Sequence, residues 1–414
     1  MTTQPTCRFC KAPLSTVLAD LGETPLSNSY VTQADVAAGR DRSYPLVVRV
    51  CDACHLVQAD EVVAHSDIFD EDYTYFSSYS DSWVAHARRY AEAMTARFAL
   101  GPQSRVVEVA SNDGYLLQHF QAAGIPVLGI EPTASTAEAA RARGIDTRIE
   151  YFGEAFGRTL RAEGIQADLM AANNVLAHVP DIADFARGFP QVLADEGVAT
   201  FEFPHLLNLI RLVEFDTIYH EHYSYLSLLA VERVFESAGL RIFDVERLPT
   251  HGGSLRVFAC QARAGHPTTP AVAATLAEER EAGLDTRAAY DGFQDRVTAC
   301  CESFRAFLAE ARAEGKTVAA YGAAAKGNTF FNVCGVTAED IALIADRSHA
   351  KQGKLLPGSH IPIVAPERLK ALKPDYVVIV PWNLAEEIRA QLSELEAGGT
   401  RFVTAIPQTR ILPC

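Results

Sequence analysis

One stretch, residues 105–132, constrains the fold of this 414-residue chain more than any other. An apolar, β-branched run over residues 106–109 gives way to a small, polar turn at 110–114, and a helical pattern follows. A second apolar run, over residues 127–130, stops at Glu131. This order predicts a strand, a tight turn, a helix and a second strand with an acid at its tip. Such a unit forms a ligand crevice at the carboxyl ends of parallel strands, where turn amides meet the ligand and the acid pairs ribose hydroxyls.

The turn distinguishes between two cofactor classes. A dinucleotide favours G-x-G-x-x-G, because the glycines let the pyrophosphate approach the backbone. This chain instead has Ala110, Asn112 and a single late Gly114, and it also carries an acid, Asp113, which is a poor neighbour for a pyrophosphate. S-adenosylmethionine (SAM) has no phosphate and carries a cationic sulfonium, so it tolerates an acid such as Glu108 before the turn. We therefore expect SAM rather than NAD, with a Rossmann-like unit that binds no ligand as the alternative.

Length and charge exclude several classes of protein. A chain of 414 residues is expected to form two or three domains, and no apolar run approaches the length that spans a membrane. The 37 basic and 52 acidic residues give a net charge of −15, which argues against a nucleic-acid surface. A phosphorylated substrate would then need locally placed Arg or Lys. The N-terminus lacks a basic segment followed by an apolar one, so we expect a cytoplasmic protein.

Four of the nine cysteines form two C-x2-C pairs, Cys7 with Cys10 and Cys51 with Cys54. Two such turns from separate segments complete a closed, tetrahedral zinc site. A redox C-x-x-C is the main alternative, and two copies without a thioredoxin-like context disfavour it. We predict a structural zinc ion that takes no part in catalysis, and a filled four-cysteine site has no need of His55 as a ligand.

Polar residues end two further predicted strands of the central region. The strand ADLMAAN ends in Asn173 and Asn174, with His178 close behind. In a SAM domain this strand end faces the methionine part of the cofactor, whereas a helix-capping Asn and a packed His are the alternative. The next strand brings Glu202 and His205 to the same edge of the predicted sheet.

The most chemically loaded run is YHEHYSY, residues 219–225, where each of the seven side chains can move a proton or donate a hydrogen bond. If the run is extended, His220 and His222 project to one side and Glu221 to the other. A metal site using both histidines lacks an evident third ligand, and a hydrogen-bonded polar turn is a further alternative. A general acid and base cluster is the favoured interpretation.

Two other segments offer candidates for the substrate side. Tyr73, Tyr75 and Tyr79 cluster before an amphipathic helix. Most of these aromatics are expected to pack a hinge behind the cysteine-rich lobe, and one or two to cover the active site. His251 precedes a glycine pair and a strand, which brings this segment close to a ligand.

A second α/β pattern begins at residue 316, after Ala-, Glu- and Arg-rich helical patterns. Its turn YGAAAKGNT enters a helix and carries Lys326 in place of the acids of the first turn. Arg347, Lys351 and Lys354 follow, and the group as a whole offers the local positive charge that a diphosphate demands. Any one of them is an ordinary surface residue, so the prediction concerns the group.

The paired cysteines and the runs VVEVASNDGYLL, NNVLAHVPD, YHEHYSYLS, HGGSLRVF and YGAAAKGNT resemble, in this order, the SAM-dependent sugar C-methyltransferases of deoxysugar biosynthesis. Those enzymes methylate carbon on nucleotide-linked 4-keto sugars. The resemblance covers nearly the whole chain and implies an α/β fold of three parts: an N-terminal zinc-binding lobe, a central Rossmann-like methyltransferase domain, and a C-terminal Rossmann-like domain that completes the sugar-nucleotide cleft. We expect these parts at residues 1–72, 73–265 and 316–414, with a helical connection at 266–315.

The resemblance also implies roles for individual residues. Tyr219, Glu221 and His222 would form the proton-transfer centre, with Tyr73 or Tyr75 covering it. The residues expected around SAM are Glu108, Ala110, Asn112, Gly114, Tyr115, Glu131, Pro132, Asn173, Asn174 and His178. The residues expected around the sugar nucleotide are Tyr75, Tyr79, Glu202, His205, Tyr225, His251, Lys326, Asn328, Arg347 and Lys351.

The implied reaction is chemically consistent. A ketone at C4 acidifies the hydrogens on C3 and C5, so His222 or Tyr219 can remove one and leave an enolate that takes the methyl group of SAM, while Glu221 tunes or orients the histidine. A hydrogen bond or a nearby cation stabilises the enolate oxygen. We expect methylation of a dTDP-linked 4-keto-deoxysugar at C3, with C5 as the alternative, by a monomer, with a dimer left open. An NAD-dependent nucleotide-sugar oxidoreductase is the competing class, and the missing G-x-G-x-x-G counts against it.

Overall fold

Three β-sheets organise the chain in the computed structural model, which describes residues 4–63 and 76–413. The sheets have four, seven and six strands and follow one another along the sequence, with helices packed on the second and third. The predicted α/β architecture is therefore confirmed. The predicted boundaries at residues 265 and 315 stay predictions, and the boundary at residue 72 lies outside the described residues.

The first sheet is antiparallel and belongs mostly to the cysteine-rich lobe. It contains β1 (Thr16–Pro25), β2 (Ser43–Val50) and β3 (Val57–Ala59). Its fourth strand, Ser224–Tyr225, is the end of the YHEHYSY run and pairs antiparallel with β3. The run that carries the chemistry is thus joined by backbone hydrogen bonds to the N-terminal lobe.

The second sheet is the predicted Rossmann-like core with an antiparallel extension. In chain order its strands are β4 (Val106–Val109), β5 (Val127–Ile130), β6 (Thr147–Arg148), β7 (Ala167–Asn173), β8 (Leu193–Pro204), β10 (Leu240–Leu248) and β11 (Ser254–Gln261), with Ser224–Tyr225 counted as β9. The order across the sheet is β10-β11-β8-β7-β4-β5-β6. Strands β4 to β8 pair in parallel, so their carboxyl ends share one edge, as the sequence predicts.

The third sheet repeats the parallel design on a smaller scale. Its strands are β12 (Val318–Tyr321), β13 (Ile344–Ala345), β14 (Ile363–Val364), β15 (Tyr376–Ile379), β16 (Arg401–Thr404) and β17 (Arg410–Ile411), in the order β14-β13-β12-β15-β16-β17. Only the last pair is antiparallel in this sheet, within the described residues. The turn after β12 carries Lys326 in place of the acids of the first turn, and Arg347 follows the end of β13.

Helices cover these sheets and link the lobes. The described α-helices are Gln33–Ala37, Asp81–Arg97, Leu117–Ala122, Ala134–Ala142, Glu154–Ala162, Ile182–Val192, Leu206–Leu212, Leu228–Ser237, Pro270–Glu281, Phe293–Ala313, Ala325–Val333, Pro366–Leu372, Ala385–Gln391 and Ser393–Ala397. One cluster of buried apolar side chains runs from Leu18 in the first sheet through Phe201 in the second to Val403 in the third. The three parts therefore share a core, which fixes the clefts between them. In the described part of the chain, no helix is long and apolar enough to cross a bilayer.

Candidate active site

A cavity of about 400 Å³ lies at the carboxyl ends of the parallel strands of the second sheet. Its wall includes Ala110, Asn112 and Tyr115 from the first turn and Glu131 and Pro132 from the tip of β5. These are the positions that the sequence predicts for SAM. The strand, turn, helix and strand unit therefore builds the expected crevice.

The backbone of the turn is held by Glu131. The Oε2 atom of Glu131 accepts a hydrogen bond from the Asn112 N–H at 2.9 Å, and Oε1 accepts one from the Thr133 N–H at 2.9 Å. Ala110 and Asn112 both have positive φ, at 57° and 48°, so the turn folds sharply under the cavity. The Glu131 carboxylate also lines the cavity, where its oxygens can accept hydrogen bonds from the hydroxyls of a ribose.

Two predicted cofactor residues support the turn without lining the cavity. A Cβ on Gly114, whose φ is 78°, would lie 2.4 Å from Ile145 Cδ1, so only glycine fits this position. Glu108 is 1% exposed beneath the turn, and burial followed by the field of Glu131 raises its pKa well above the usual value. Neither residue lines the cavity, and their contact with the cofactor stays a prediction.

The end of β7 presents polar atoms to the same cavity. Asn173, Asn174 and His178 all line it. Within the described residues, the buried Oδ1 atoms of Asn173 and Asn174 have no hydrogen-bond partner, as is expected of atoms that face a polar ligand. The donor and acceptor chemistry around the cavity therefore suits a cofactor with ribose hydroxyls and an amino-acid head group.

The YHEHYSY run forms a turn beside this cavity, because the His222 N–H bonds to the Tyr219 carbonyl at 2.9 Å. Tyr219, Glu221 and His222 line the cavity together. His220 points the other way, with Nε2 3.2 Å from the Pro45 carbonyl in the N-terminal lobe. The expectation for an extended run, with both histidines on one side and Glu221 on the other, is wrong, since the turn replaces the strand alternation.

The surroundings of His222 define its protonation state. Its Nδ1 lies 2.7 Å from the Thr217 carbonyl, which only accepts, so Nδ1 carries the proton and the lone pair is on Nε2. Burial, followed by the electrostatic influence of His178, holds the pKa of His222 well below its usual value. The rings of Tyr219 and His178 pack on His222, with centroids 4.0 Å and 4.6 Å away. A neutral imidazole with an acceptor nitrogen at a cavity is a competent general base.

A second, larger cleft of about 1100 Å³ lies between the N-terminal lobe and the third sheet. Three residues, Asn28, Glu221 and Lys351, line both this cleft and the first cavity, so the two spaces meet at these side chains. Burial raises the pKa of Glu221 to about 7. The carboxyl group at the junction therefore changes its charge near neutral pH.

The basic residues of the third sheet divide between the two spaces. Arg347 and Lys354 line the large cleft, as does the exposed ring of Tyr79. Lys326 lines the first cavity, with Nζ 3.1 Å from Asn383 Oδ1. His251 lines the first cavity too, and burial followed by the charge of Lys326 lowers the pKa of its imidazole to about 4. The predicted basic residues are thus present, but they are divided between the large cleft and the first cavity.

Four predicted substrate residues line neither space. Glu202 is buried in an ion pair with Arg256 at 3.1 Å, and His205 is buried against Glu279 at 2.7 Å. Tyr225 is 6% exposed in the first sheet, and Asn328 is fully buried in the helix after the basic turn. These side chains are buried and line neither space, and their assignment to the sugar site stays a prediction. Tyr73 and Tyr75 lie outside the described residues.

The structure adds wall residues that the sequence interpretation did not select. Asn28 reaches the cavity from the N-terminal lobe, and Trp83 and Tyr151 line it from the helix Asp81–Arg97 and from the segment after β6. Tyr151 remains 55% exposed, which is unusual for a large aromatic side chain. The sequence could have suggested Trp83 as a wall residue, because it is an aromatic residue near the start of a predicted helix. No neighbouring sequence pattern identifies Asn28 as a wall residue.

The four predicted zinc ligands come together in the N-terminal lobe. The sulfur atoms of Cys7, Cys10, Cys51 and Cys54 all lie within 4.8 Å of one another. Cys7 Sγ is 3.5 Å from Cys54 Sγ, and Cys10 Sγ is 3.4 Å from Cys51 Sγ. A tetrahedral site with Zn–S bonds of about 2.3 Å places sulfurs roughly 3.8 Å apart, so the cluster fits zinc. His55 is not part of the cluster.

Comparisons with known proteins agree with this geometry. Residues 83–245 match the family model described as "Methyltransferase domain", residues 249–407 the model "C-methyltransferase C-terminal domain", and residues 7–69 the model "Putative zinc binding domain". The chain is 37% identical over 406 residues to "C-methyltransferase NovU" of Streptomyces niveus, covering 98% of this chain and 96% of that protein. These matches do not favour the oxidoreductase alternative.

Solved structures resemble parts of the fold more distantly. Magnesium protoporphyrin IX methyltransferase (ChlM) of Synechocystis PCC 6803, solved with bound SAM, is 14% identical, with a TM-score of 0.32 over 47% of this chain and 88% of its own. A SAM-dependent methyltransferase of Clostridium acetobutylicum ATCC 824 is 10% identical, with a TM-score of 0.34 over 43% and 92%. TM-scores this low carry no argument beyond the geometry already described.

Proposed function

Because the chain belongs to the same family of SAM-dependent C-methyltransferases as NovU, we propose that it methylates carbon of a dTDP-linked 4-keto-deoxysugar. The observation that carries this proposal is the junction of the two spaces at Glu221, beside the basic nitrogen of His222. A cofactor on one side and a sugar nucleotide on the other would then meet at the proton-transfer turn. The product would serve deoxysugar and natural-product biosynthesis.

His222 is the proposed base. Its Nε2 takes the proton from the carbon next to the C4 ketone, and the electron pair of that C–H bond passes into an enolate. The hydrogen bond from Nδ1 to the Thr217 carbonyl fixes the tautomer of His222 and stabilises the imidazolium that forms. Tyr219, whose ring centroid lies 4.0 Å from that of His222, is the alternative base and otherwise a hydrogen-bond donor to the substrate.

Cofactor and enolate are brought together by the walls of the first cavity. Bound SAM supplies an electrophilic methyl group on a cationic sulfur. Glu131 would hold the ribose hydroxyls, and Asn173 and Asn174 the amino-acid end, which orients the donor toward His222. Lys326 also lines this cavity, and its ammonium would stabilise the negative charge that develops on the C4 oxygen. Orientation and this fixed charge supply most of the acceleration in the proposal.

The large cleft is the proposed site of the sugar nucleotide. Arg347, Lys351 and Lys354 line one wall, so a diphosphate would meet the local positive charge that the overall charge of −15 makes necessary. The sugar would extend from this wall to Glu221 at the junction. We propose C3 as the methylated carbon, with C5 as the alternative, and a self-contained monomer as the active species.

Incubation with SAM and a dTDP-4-keto-6-deoxyhexose in deuterated water tests the proposal. Product mass and the sugar proton spectrum are followed over time. A new C-methyl singlet is expected, and its position identifies the carbon that received the methyl group. Deuterium exchange at C3 or C5 without methylation would support the enolate but reject this sugar as the substrate. If a panel of 4-keto sugars gives neither exchange nor methyl transfer, the proposal is rejected.

A further inference from the structure

A short segment of the N-terminal lobe, residues 26–31, passes between the proton-transfer turn and the third sheet. We call it the bridging segment. It follows β1 and is far from the YHEHYSY run in sequence, with 193 positions between Asn28 and Glu221. Leu26, Asn28, Ser29, Tyr30 and Val31 all line the large cleft. The N-terminal lobe therefore contributes directly to the candidate active site.

Side-chain and backbone contacts fasten the bridging segment on both sides. Thr329 donates to the Ile218 carbonyl at 2.9 Å, so the Ser27 hydroxyl, 3.3 Å away, donates to Thr329. The Tyr30 hydroxyl donates to the Ala323 carbonyl at 2.7 Å. The Val31 N–H and carbonyl pair with Leu355, at 3.2 Å and 2.8 Å. These contacts leave Asn28 little freedom to move.

Asn28 makes the contact that matters for chemistry. Its Nδ2 donates to Glu221 Oε2 at 2.6 Å, and Asn28 lines both the cofactor cavity and the large cleft. An amide nitrogen only donates, so this bond favours the carboxylate over the protonated acid. Glu221 is 4% exposed, which makes the bond short, dry and hard to replace with water.

We propose that Asn28 is a positioning residue for proton transfer, its amide holding the Glu221 carboxylate at the junction of the two spaces. The inference rests on the proposed function, since it assigns Glu221 an ionised role in that reaction. It gives the N-terminal lobe a part in catalysis beyond folding. The cysteine-rich lobe would then take part in the reaction through Asn28.

Other titratable groups surround Glu221 and enter the pH dependence. Tyr30 faces it from the bridging segment, Lys351 from the third sheet, and His178 from the end of β7, where Nδ1 bonds the Glu221 carbonyl at 3.0 Å. His222 and Tyr223 flank it on its own turn. None of these side chains changes in Asn28→Asp or in Ser27→Ala, so a shift in the pH profile reports on the Asn28 contact.

The test compares Asn28→Asp with Ser27→Ala. Asn28→Asp keeps the shape but replaces the donor with a second carboxyl, so the two acids must share a proton. The acid limb of the kcat/KM profile, set near pH 7 by Glu221, is expected to rise by about one to two units, and kcat at pH 7 to fall about tenfold or more. Ser27→Ala removes a different hydrogen bond of the bridging segment, the one to Thr329. The acid limb of the kcat/KM profile of this variant should stay at the wild-type position.

A measurement without turnover separates this inference from the proposed function. The carboxyl stretch of Glu221, identified by its loss in Glu221→Gln, is titrated by infrared difference spectroscopy in the unliganded protein, and its midpoint should rise in Asn28→Asp. An unchanged midpoint and limb would overturn the positioning role, as would equal shifts in Ser27→Ala. If the midpoint moves but the wild type methylates no 4-keto sugar, Asn28 still positions Glu221 and the proposed reaction is the part that fails.

Discussion

The two Rossmann-like halves of this molecule use the same device to shape a ligand site. In the second sheet, Glu131 at the tip of β5 accepts the N–H of Asn112, in the turn after β4, at 2.9 Å. In the third sheet, Asp346 after β13 accepts the N–H of Ala323, in the turn after β12, at 2.8 Å. Each acid also accepts the N–H two residues further along the chain, at 2.9 Å and 2.8 Å.

The halves differ in what balances the charge of that acid. Lys351 Nζ lies 3.9 Å from Asp346 and 2.8 Å from the Ala323 carbonyl, so a cation sits on the turn of the third sheet. In the described part of the chain, no ion pair joins Glu131 to a basic side chain, and burial raises its pKa. A bare acid suits ribose hydroxyls, whereas a neutralised one admits a phosphate. If the third sheet binds the diphosphate as proposed, one backbone design would serve opposite ligands through a single added cation.

The largest effect on turnover should come from His222, which belongs to neither of the two acid-and-turn arrangements. His222→Ala removes the proposed base, and turnover is expected to fall at least about a thousandfold because no other neutral acceptor has the same position. Binding of SAM and of the sugar nucleotide, measured by calorimetry, should stay close to wild type. This result would show that His222 acts in the chemical step and not in the binding of either ligand.

The matched variant for this test is His220→Ala, two residues away. His220 bonds the Pro45 carbonyl and lines neither space, so its loss should cost stability rather than kcat. Equal losses of kcat in both variants would mean that the turn, and not the Nε2 atom of His222, is what the reaction needs. Retained turnover in His222→Ala would move the base to Tyr219.

A smaller effect is expected from the acid of the cofactor half. In Glu131→Gln, an amide replaces a carboxylate that accepts two backbone N–H groups, so one of those donors faces another donor. The Kd for SAM is expected to rise about 10- to 100-fold, with the KM for the sugar nucleotide unchanged. Calorimetry with S-adenosylhomocysteine measures the first and initial rates the second. If both constants rise together, the halves are not independent and the comparison fails.

Local patterns predict the parallel sheets well because each strand carries its own signal. The apolar runs at 127–130 and 167–173 became β5 and β7 with the same bounds. The doubled C-x2-C spacing likewise predicts a cluster that the fold assembles. In these cases the residues that decide the structure lie close together in sequence, so period and spacing are sufficient.

The candidate site is less predictable because its members are chosen by tertiary packing. Its place at a strand tip predicts that Glu202 contacts a ligand. In the structure the Glu202 carboxylate instead pairs with Arg256 and His86, which lie on other elements. The alternation expected of YHEHYSY is broken by one backbone bond, from His222 N–H to the Tyr219 carbonyl. Asn28 has no local signal at all, since its partner is 193 residues away.

The smallest effect should come from the cation that distinguishes the third sheet. Lys351→Met keeps most of the side-chain stem but removes the charge beside Asp346, together with the contact of that charge with the Tyr30 ring. The KM for the sugar nucleotide is expected to rise about three- to tenfold and to lose part of its dependence on salt, because a half-buried charge at this distance is partly screened. The Kd for SAM should not change. Lys370, on the helix Pro366–Leu372, forms an exposed ion pair with Glu394. Lys370→Met removes the same amount of charge away from the cleft and therefore controls for overall charge.

The double variant Asp346→Asn, Lys351→Met decides what the cation does. If Lys351 acts by neutralising Asp346, removing both charges should restore part of the affinity lost in Lys351→Met, and the two changes will not be additive. If Lys351 instead binds the diphosphate directly, the double variant stays as weak as the single one or weaker. The second outcome would leave the shared backbone device intact but reject counter-charge as the reason the two halves select different ligands.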